Sequence, residues 1–149
     1  MFRGLNAINI DDKGRILIPK RHRELLLEHA SDQVVITIDT ESPCLLLYPA
    51  PIWQTIEVKL SELPSMHPAV KRIQRLLIGH ATDLIVDKQG RILLPPLLRE
   101  YASLDKAMMW VGQGHKIELW GQNEWQQHRQ SWLDAPETDS PLELQQLAW

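Results

Sequence analysis

The chain has 149 residues and a mass of 17.2 kDa, a size that suits one compact domain or two small interlocked ones. It contains no run of roughly 18 apolar residues, so we expect no membrane helix. An N-terminal apolar run with a small-residue cleavage site is also missing, which argues against a secretory signal. Cys44 is the single cysteine, which excludes an internal disulfide and a thiolate zinc cluster. These features predict a protein of the cytoplasm.

The net charge of -3 hides two basic stretches. Residues 1–25 hold six Lys or Arg against three Asp or Glu, and residues 71–100 hold the same numbers. Because local patches rather than net charge attract phosphate, these stretches are consistent with a nucleic-acid partner. Charge alone fits equally well with opposed charges that interleave on a solvated surface.

An internal repeat organises the chain. The segment Ile10–Glu24, IDDKGRILIPKRHRE, aligns without a gap on Val86–Glu100, VDKQGRILLPPLLRE, at an offset of 76 residues. Further along, Leu45–Trp53 aligns on Ile117–Trp125 at an offset of 72 residues, so the second copy has a shorter middle. Two similar blocks in the same order predict a duplicated structural unit.

The first unit is predicted to begin with two short strands, one through Ala7–Ile10 and one over 16–18, joined by a turn at Asp11–Gly14. Asp at the first and Gly at the fourth position are typical of a type I turn. Pro19 ends the second strand and can open a helix, because the first helical turn leaves its N–H groups unpaired. The remaining predicted elements of this half are a helix over 20–30, strands over 33–39 and 44–49, and helices over 51–63 and 67–80.

The second unit repeats this order after its own turn at Asp87–Gly90. Its later predicted elements are a helix over 96–104, strands over 106–112 and 116–121, and a helix over 123–133. From Ala135 the chain continues as an acidic tail that starts with turn formers. This tail is either disordered or docked on a neighbouring molecule through its apolar residues Leu142, Leu144, Leu147 and Trp149.

The most specific motif is Asp-x-x-Gly-Arg, which occurs as Asp11–Arg15 and again as Asp87–Arg91. The turn explains the aspartate and the glycine but does not require the arginine. An arginine present in both copies is either a structural clamp that pairs with its aspartate or a phosphate contact. We favour the clamp for Arg91 and the DNA contact for Arg15.

The start of the first helix carries unusual charge. The residues KRHR, Lys20–Arg23, occupy its first turn, where the helix dipole and like-charge repulsion both disfavour cations. The second unit has Pro96, Leu97 and Leu98 at the matching places, so the fold itself does not need cations there. An anionic partner explains the arrangement, and a solvated basic turn is the alternative.

A second basic cluster, Lys71, Arg72 and Arg75, is predicted on the helix between the units. Lys71 and Arg75 lie one helical turn apart, which makes a mildly destabilising like-charge pair. Contact with Glu57 or Glu62, contact with another subunit and contact with DNA explain this cluster equally well.

Catalysis and metal binding have little support in the sequence. The six histidines form no HxH or HxxxH pair, and neither a Gly-rich phosphate loop nor a GxSxG elbow is present. Cys44 lies in an apolar strand, and Trp53, Trp120 and Trp125 occupy apolar repeat positions, so we expect these four residues in the core. Asp11, Asp12 and Asp87 could hold Mg²⁺ in a nuclease, but the turns already explain two of these aspartates. We expect no catalytic residue, no metal and no cofactor.

Two short strands around Asp-x-x-Gly-Arg, followed by a proline-opened helix and a hairpin, resemble the SpoVT-AbrB domain. The duplication, the opening MFRG and the block HPAVKRIQRLLIGHATD between the copies are similar to the MraZ family in particular. The resemblance implies an α+β, β-rich fold in which two tandem SpoVT-AbrB-type units form an intrachain swapped-hairpin (double-split) β-barrel with flanking helices. The implied organisation is unit one over 5–53, a helical connection over 54–80, unit two over 81–125, and a C-terminal helix with an acidic tail over 126–149.

The same resemblance implies a DNA-binding transcriptional regulator of the division and cell-wall gene cluster. Members of the family are similar in forming rings that bind promoter-proximal direct repeats of double-stranded DNA and repress the cluster, their own gene included. This implies a cytoplasmic, nucleoid-associated homo-oligomer with no membrane partner. The implied DNA-facing residues are Arg3, Lys13, Arg15, Lys20, Arg21 and Arg23, and the implied structural residues are Asp11, Gly14, Asp87, Gly90 and Arg91.

The second unit departs from this pattern. It has Gln89 where the first has Lys13, and Leu97 where the first has Arg21, so its implied role is to complete the barrel rather than to bind DNA. The alternative function is an antitoxin-like interaction module of the same fold, which neutralises a partner protein through its C-terminal tail. The two copies argue against that alternative, because such modules usually carry one.

Overall fold

The computed structural model describes residues 1–136 and 140–149, which confirm the predicted α+β class. The first half contains strands β1 (Phe2–Asn9), β2 (Arg15–Leu17), β3 (Gln33–Ile38) and β4 (Leu45–Pro49) and helices α1 (Lys20–Ala30), α2 (Ala50–Glu62) and α3 (Pro68–Ile73). The second half contains strands β5 (Thr82–Ile85), β6 (Arg91–Leu93), β7 (Ala107–Gly114) and β8 (Lys116–Gly121) and helices α4 (Pro96–Tyr101), α5 (Gln122–Asp134) and α6 (Leu142–Gln145). No helix in these two described ranges is long and apolar enough to cross a membrane.

The two units exchange their first strands. The six-stranded antiparallel sheet has the order β1-β7-β8-β4-β3-β5, so each unit's first strand pairs with a hairpin strand of the other unit. β1 pairs with β7 from Phe2 opposite Gly114 to Asn9 opposite Ala107, and β5 pairs with β3. The remaining strands, β2 and β6, form a separate two-stranded ribbon, again with one strand from each unit. Neither unit therefore completes a sheet by itself.

Closure of these strands into a barrel stays a prediction. Among the described residues, β1 and β5 are the two edges of the large sheet, and the ribbon remains a separate sheet. The ribbon and the large sheet are joined through side chains and, just after β1, through an antiparallel bridge between Ile10 and Ile16.

The main core lies between the ribbon and one face of the large sheet. Ile16 and Ile92 are opposite each other on the buried face of the ribbon, and both belong to the same apolar cluster as Trp110 of β7. Each isoleucine is 1% exposed, and burial of such a side chain contributes roughly 1.5–3 kcal/mol to stability. The ribbon is therefore held on the sheet by its inward face, and its outward face remains on the surface.

A second apolar cluster covers the other face of the large sheet. Trp53 of α2 and Trp125 of α5 pack there with Trp120 and Cys44. All four residues are buried, which confirms their predicted core positions. Because β3 and β4 are covered on both faces, they consist of nearly continuous apolar residues rather than an alternating pattern.

Both Asp-x-x-Gly turns need their glycine. Gly14 and Gly90 have φ angles of 87° and 81°, a conformation that side chains disfavour. Each glycine is also covered by an arginine from the other unit's helix, Arg99 over Gly14 and Arg23 over Gly90. A Cβ on Gly14 would lie 2.9 Å from Arg99 Nη1, and a Cβ on Gly90 would overlap the Arg23 side chain. Each turn therefore packs against a helix of the other unit, and these contacts hold the two units together.

The helix predicted over 67–80 is interrupted. A π-helical segment, Gln74–Ile78, follows directly after α3. Thr37 Oγ1 in β3 donates to the Leu77 carbonyl at 2.7 Å, and this bond supplies that carbonyl with a partner outside the helical ladder. π-helical segments are rare, and the apolar spacing of the sequence alone does not reveal this one.

The described part of the acidic tail forms the short helix α6 with its apolar side chains on the surface. Leu142 and Trp149 are 65% and 95% exposed, so the described part of the chain leaves them uncovered. Residues 137–139 of the predicted tail lie outside the described residues. Docking of the tail on a neighbouring molecule stays a prediction.

We expect Gly90→Ala to lower the free energy of unfolding more than Gly4→Ala. Both glycines have positive φ, 81° and 104°, so alanine is strained at either position, by about 1–3 kcal/mol. Only at Gly90 would the new Cβ also collide with Arg23, because nothing lies within 4 Å of the Cβ position at Gly4. Urea unfolding measures both losses, and equal losses would contradict the packing of Arg23 on the second turn.

Candidate nucleic-acid interface

The two turns are held by the same set of hydrogen bonds. Asp11 Oδ1 accepts the backbone N–H groups of Lys13 and Arg15 at 2.9 Å, and Asp11 Oδ2 accepts Arg15 Nε at 2.8 Å. Asp87 accepts the corresponding three donors in the second turn, with Arg91 Nε at 3.2 Å. The hydrogen bond from the backbone N–H of the arginine is the main cause of the lowered pKa of each aspartate. Arg15 therefore makes the clamp that was predicted for Arg91.

The exposed face of the ribbon carries both arginines. Arg15 lies opposite Leu93, Leu17 lies opposite Arg91, and Ile16 and its partner occupy the buried face. The two leucines are 52% and 56% exposed, and each arginine side chain is 30% exposed. Two-stranded ribbons fit the DNA major groove, where arginine pairs with guanine and apolar side chains contact thymine methyl groups. This face can therefore contact base edges.

Two of the four basic residues at the start of α1 lie on the surface. Lys20 and Arg21 are exposed, whereas His22 is 2% exposed and Arg23 is half-buried. Arg23 lies on the second turn, where its Nη1 donates to the Gln89 carbonyl at 3.1 Å. Only Lys20 and Arg21 lie on the surface, because one side of the start of α1 packs against β1 and another against the second Asp-x-x-Gly turn.

His22 is the buried polar group of α1. Trp110 Nε1 donates to His22 Nδ1, so His22 Nε2 carries the ring proton and donates to the Arg3 carbonyl at 3.0 Å. Burial is the main cause that lowers the pKa of His22; the Arg3 carbonyl opposes it, and the Arg21 charge lowers the pKa further. The neutral ring ties α1 to the edge strand β1. His22 is not among the predicted site residues, and Leu98 at the matching repeat position is the sequence signal for its burial.

The six predicted DNA-facing residues do not lie in one cluster. α1 begins beside the second turn, because the Ile18 N–H donates to the Gly90 carbonyl at 2.9 Å. The first turn lies beside α4 instead, because the Leu94 N–H donates to the Gly14 carbonyl at 2.9 Å. The six residues therefore form two groups, which are Lys13 and Arg15 at the first turn, and Arg3, Lys20, Arg21 and Arg23 at the start of α1.

The basic cluster between the units is on the surface. Lys71, Arg72 and Arg75 are exposed, and the ion pairs of the described residues do not include them. The contact with Glu57 or Glu62 that could have explained them is not formed. Contact of this cluster with DNA or with another subunit stays a prediction.

A group of potential metal ligands lies away from both turns. Atoms of Asp39, Cys44 and Glu118 come within 4.8 Å of one another. The Cys44 thiol is buried and donates to Asp39 Oδ2 at 3.7 Å. Burial is the main cause that raises the pKa of the thiol, and both carboxylates raise it further. Because metal ligation requires the thiolate, this group is better described as a hydrogen-bonded part of the core.

The fold and the site define a class of protein built from two copies of one β-rich unit that exchange strands around a two-stranded ribbon. Each copy contributes one Asp-x-x-Gly-Arg turn to that ribbon. A family model described as "MraZ protein, putative antitoxin-like" matches residues 1–76 and again residues 77–146. The chain belongs to the MraZ family, as the sequence motifs predicted.

Curated relatives match over nearly the whole chain. A protein of Coxiella burnetii (strain RSA 493 / Nine Mile phase I) named "Transcriptional regulator MraZ" is 56% identical over 151 residues, which cover 99% of each chain. Proteins with the same name are 52% identical in Halorhodospira halophila, with 99% of each chain covered, and 54% identical in Legionella pneumophila (strain Paris), with 93% covered.

We expect His22 to make the protein less stable as the pH falls below about 6.5, the usual pKa of its side chain. Its pKa is lowered from the usual 6.5, so the unfolded chain binds a proton before the folded protein does. The stabilising contribution is complete above the unfolded pKa and is lost as the pH falls below it. His22→Leu introduces the residue found at the matching position of the second unit, and it should reduce this pH dependence. Urea unfolding at several pH values tests this, and an unchanged slope in the variant would contradict it.

Proposed function

We propose that the chain is a sequence-specific DNA-binding transcriptional regulator. The proposal is that it represses the division and cell-wall gene cluster, including its own gene, from direct repeats near the promoter. The single observation that carries it is the exposed ribbon face, where Arg15 and Arg91 lie beside two exposed leucines. The name printed for the relatives, "Transcriptional regulator MraZ", supports the same assignment. Gel-shift with the DNA upstream of its own gene tests it.

In this proposal the basic residues have different roles. Lys13, Lys20 and Arg21 are exposed, and they contact phosphate groups, which gives affinity without sequence information. Arg3 of β1, whose backbone lies beside the start of α1, is a further proposed phosphate contact. Arg15 reads a guanine at O6 and N7, the commonest specific contact of arginine. Arg23 supports the surface by holding α1 against the second turn through the Gln89 carbonyl.

The protein acts as a homo-oligomer, which we propose to be a ring in the nucleoid. One subunit offers a small positive face on a chain with a net charge of -3, so a single contact with DNA is weak. Several subunits on spaced repeats raise the effective concentration for each later contact. Within each subunit, the exchanged strands form the double-split barrel, and both units are needed to build the ribbon. Repression follows because the bound oligomer occludes the promoter.

The second candidate is an interaction module that binds a partner protein through the tail. The observation that favours it is the exposure of apolar residues beyond Asp134, namely Leu142, Leu144, Leu147 and Trp149. A chain truncated after Pro136 separates the two candidates. Under the first proposal it still binds operator DNA, whereas under the second it loses the partner protein.

We expect Arg15→Ala to weaken operator binding by about 1–3 kcal/mol, the free energy of a bidentate arginine–guanine pair. Arg91→Ala should weaken binding less. Since both arginines make the same clamp, the two variants should lose similar and small amounts of thermal stability. Gel-shift and thermal melting measure the two effects. If Arg15→Ala unfolds the protein while Arg91→Ala does not, Arg15 is a structural residue and the assignment of base contact is wrong.

We also expect affinity to increase with the number of DNA repeats. A duplex with three or more repeats should bind at least tenfold more tightly than a duplex of equal length with one repeat, because the later contacts are intramolecular. Fluorescence anisotropy with both duplexes measures the difference. Equal affinities would contradict binding by several subunits, and light scattering of the free protein would then show whether it is an oligomer at all.

A further inference from the structure

Strand exchange places the start of α1 against the turn of the second unit. The Ile18 N–H donates to the Gly90 carbonyl at 2.9 Å, and Arg23 Nη1 donates to the Gln89 carbonyl at 3.1 Å. The Arg23 side chain also covers Gly90 so closely that a Cβ there would overlap it. The basic helix start of unit one and the turn of unit two, residues 87–91, are therefore one continuous surface.

The two turns differ in charge. In the first turn, Lys13 and Arg15 are balanced by two aspartates, and the adjacent α4 starts with Pro96 and Leu97. In the second turn, Lys88 and Arg91 face a single aspartate. That turn lies beside the start of α1, where Lys20 and Arg21 are exposed. Glu24 follows them in α1, and Glu100 occupies the matching place in α4, so the two acidic residues do not distinguish the helices. Positive charge is therefore concentrated at the second turn, where the sequence alone assigned only a structural role.

Only the backbone of Arg3 lies beside this surface. The Arg3 carbonyl accepts His22 Nε2 at 3.0 Å, which holds the edge strand β1 beside the start of α1. Phe2 packs against His22, so the next side chain of the strand, Arg3, points to the other face of the sheet. We define the helix-start surface as the exposed residues Lys20, Arg21 and Lys88.

We propose that Lys88 of the second unit binds the DNA phosphate backbone together with Lys20 and Arg21 of the first unit. This rests on the proposed DNA-binding function and adds a contact residue from the unit that the sequence assigned to structure. Like charges brought together on one surface repel one another, and a polyanion relieves that repulsion. A lysine ammonium is a point charge that binds phosphate without reading the base, so Lys88 contributes affinity and not specificity.

The test is the salt dependence of DNA binding by the full chain with Lys88→Gln. For each phosphate contact removed, the plot of log affinity against log salt should flatten by roughly 0.9. Fluorescence anisotropy with the upstream duplex, between about 50 and 200 mM KCl, measures this slope. We expect Lys88→Gln to flatten it as much as Lys20→Gln does, with the same loss of affinity for operator and unrelated DNA. The matched control is Lys59→Gln, an exposed lysine on α2 at the other face of the sheet, which should keep the original slope.

The outcomes separate this proposal from the proposed function. If Lys20→Gln flattens the slope and Lys88→Gln keeps it, DNA binds the first unit alone and the shared surface is wrong. If Lys88→Gln reduces binding to operator DNA only, Lys88 is a base contact and the phosphate assignment is wrong. If the unmodified chain binds no DNA, the proposed function fails, and this proposal fails with it. Thermal melting of each variant confirms that exposed-lysine substitutions leave the protein folded.

Discussion

β1 lies along β7 of the other unit over its whole length, and β5 adds in the same way to β3. Because a strand's backbone groups must be paired when they are buried, neither unit can satisfy its own sheet without the other. The ribbon of β2 and β6 is a consequence of this exchange, since each of its strands comes from a different unit. The surface that we assign to DNA therefore exists only when both units are folded together.

The arginines Arg23 and Arg99 show how the exchange is reinforced at the turns. Each lies over a glycine of the opposite unit, and a Cβ at that glycine would collide with the arginine side chain. The aliphatic stem of an arginine contributes packing in addition to the charge of its guanidinium group. These two half-buried residues therefore connect helix and turn. The contact of Arg23 with the second turn stabilises the exchanged fold, and it also brings Lys88 of that turn beside the basic start of α1.

The two units have diverged at matching positions in ways that physical chemistry can separate. His22 and Leu98 are both buried, but only the histidine bonds to the edge strand β1 and to Trp110. A buried polar group is tolerated when all its hydrogen bonds are made, and here both ring nitrogens have partners. In unit one, His22 thus fixes β1 relative to the basic start of α1. In unit two, Leu98 makes only apolar contacts at the matching place.

The sequence by itself determined the repeat, the two turns, the family, the buried tryptophans and the position of α1, because local spacing and turn chemistry act within each copy. It could not show that Arg23 turns away from the other cations, that the helix predicted over 67–80 contains a π-helical segment, or that Lys88 lies on the helix-start surface. These features depend on which copy packs against which. That choice is made by strand pairing between residues about 80 to 110 positions apart, such as Arg15 with Leu93 and Phe2 with Gly114, and only the tertiary structure decides it.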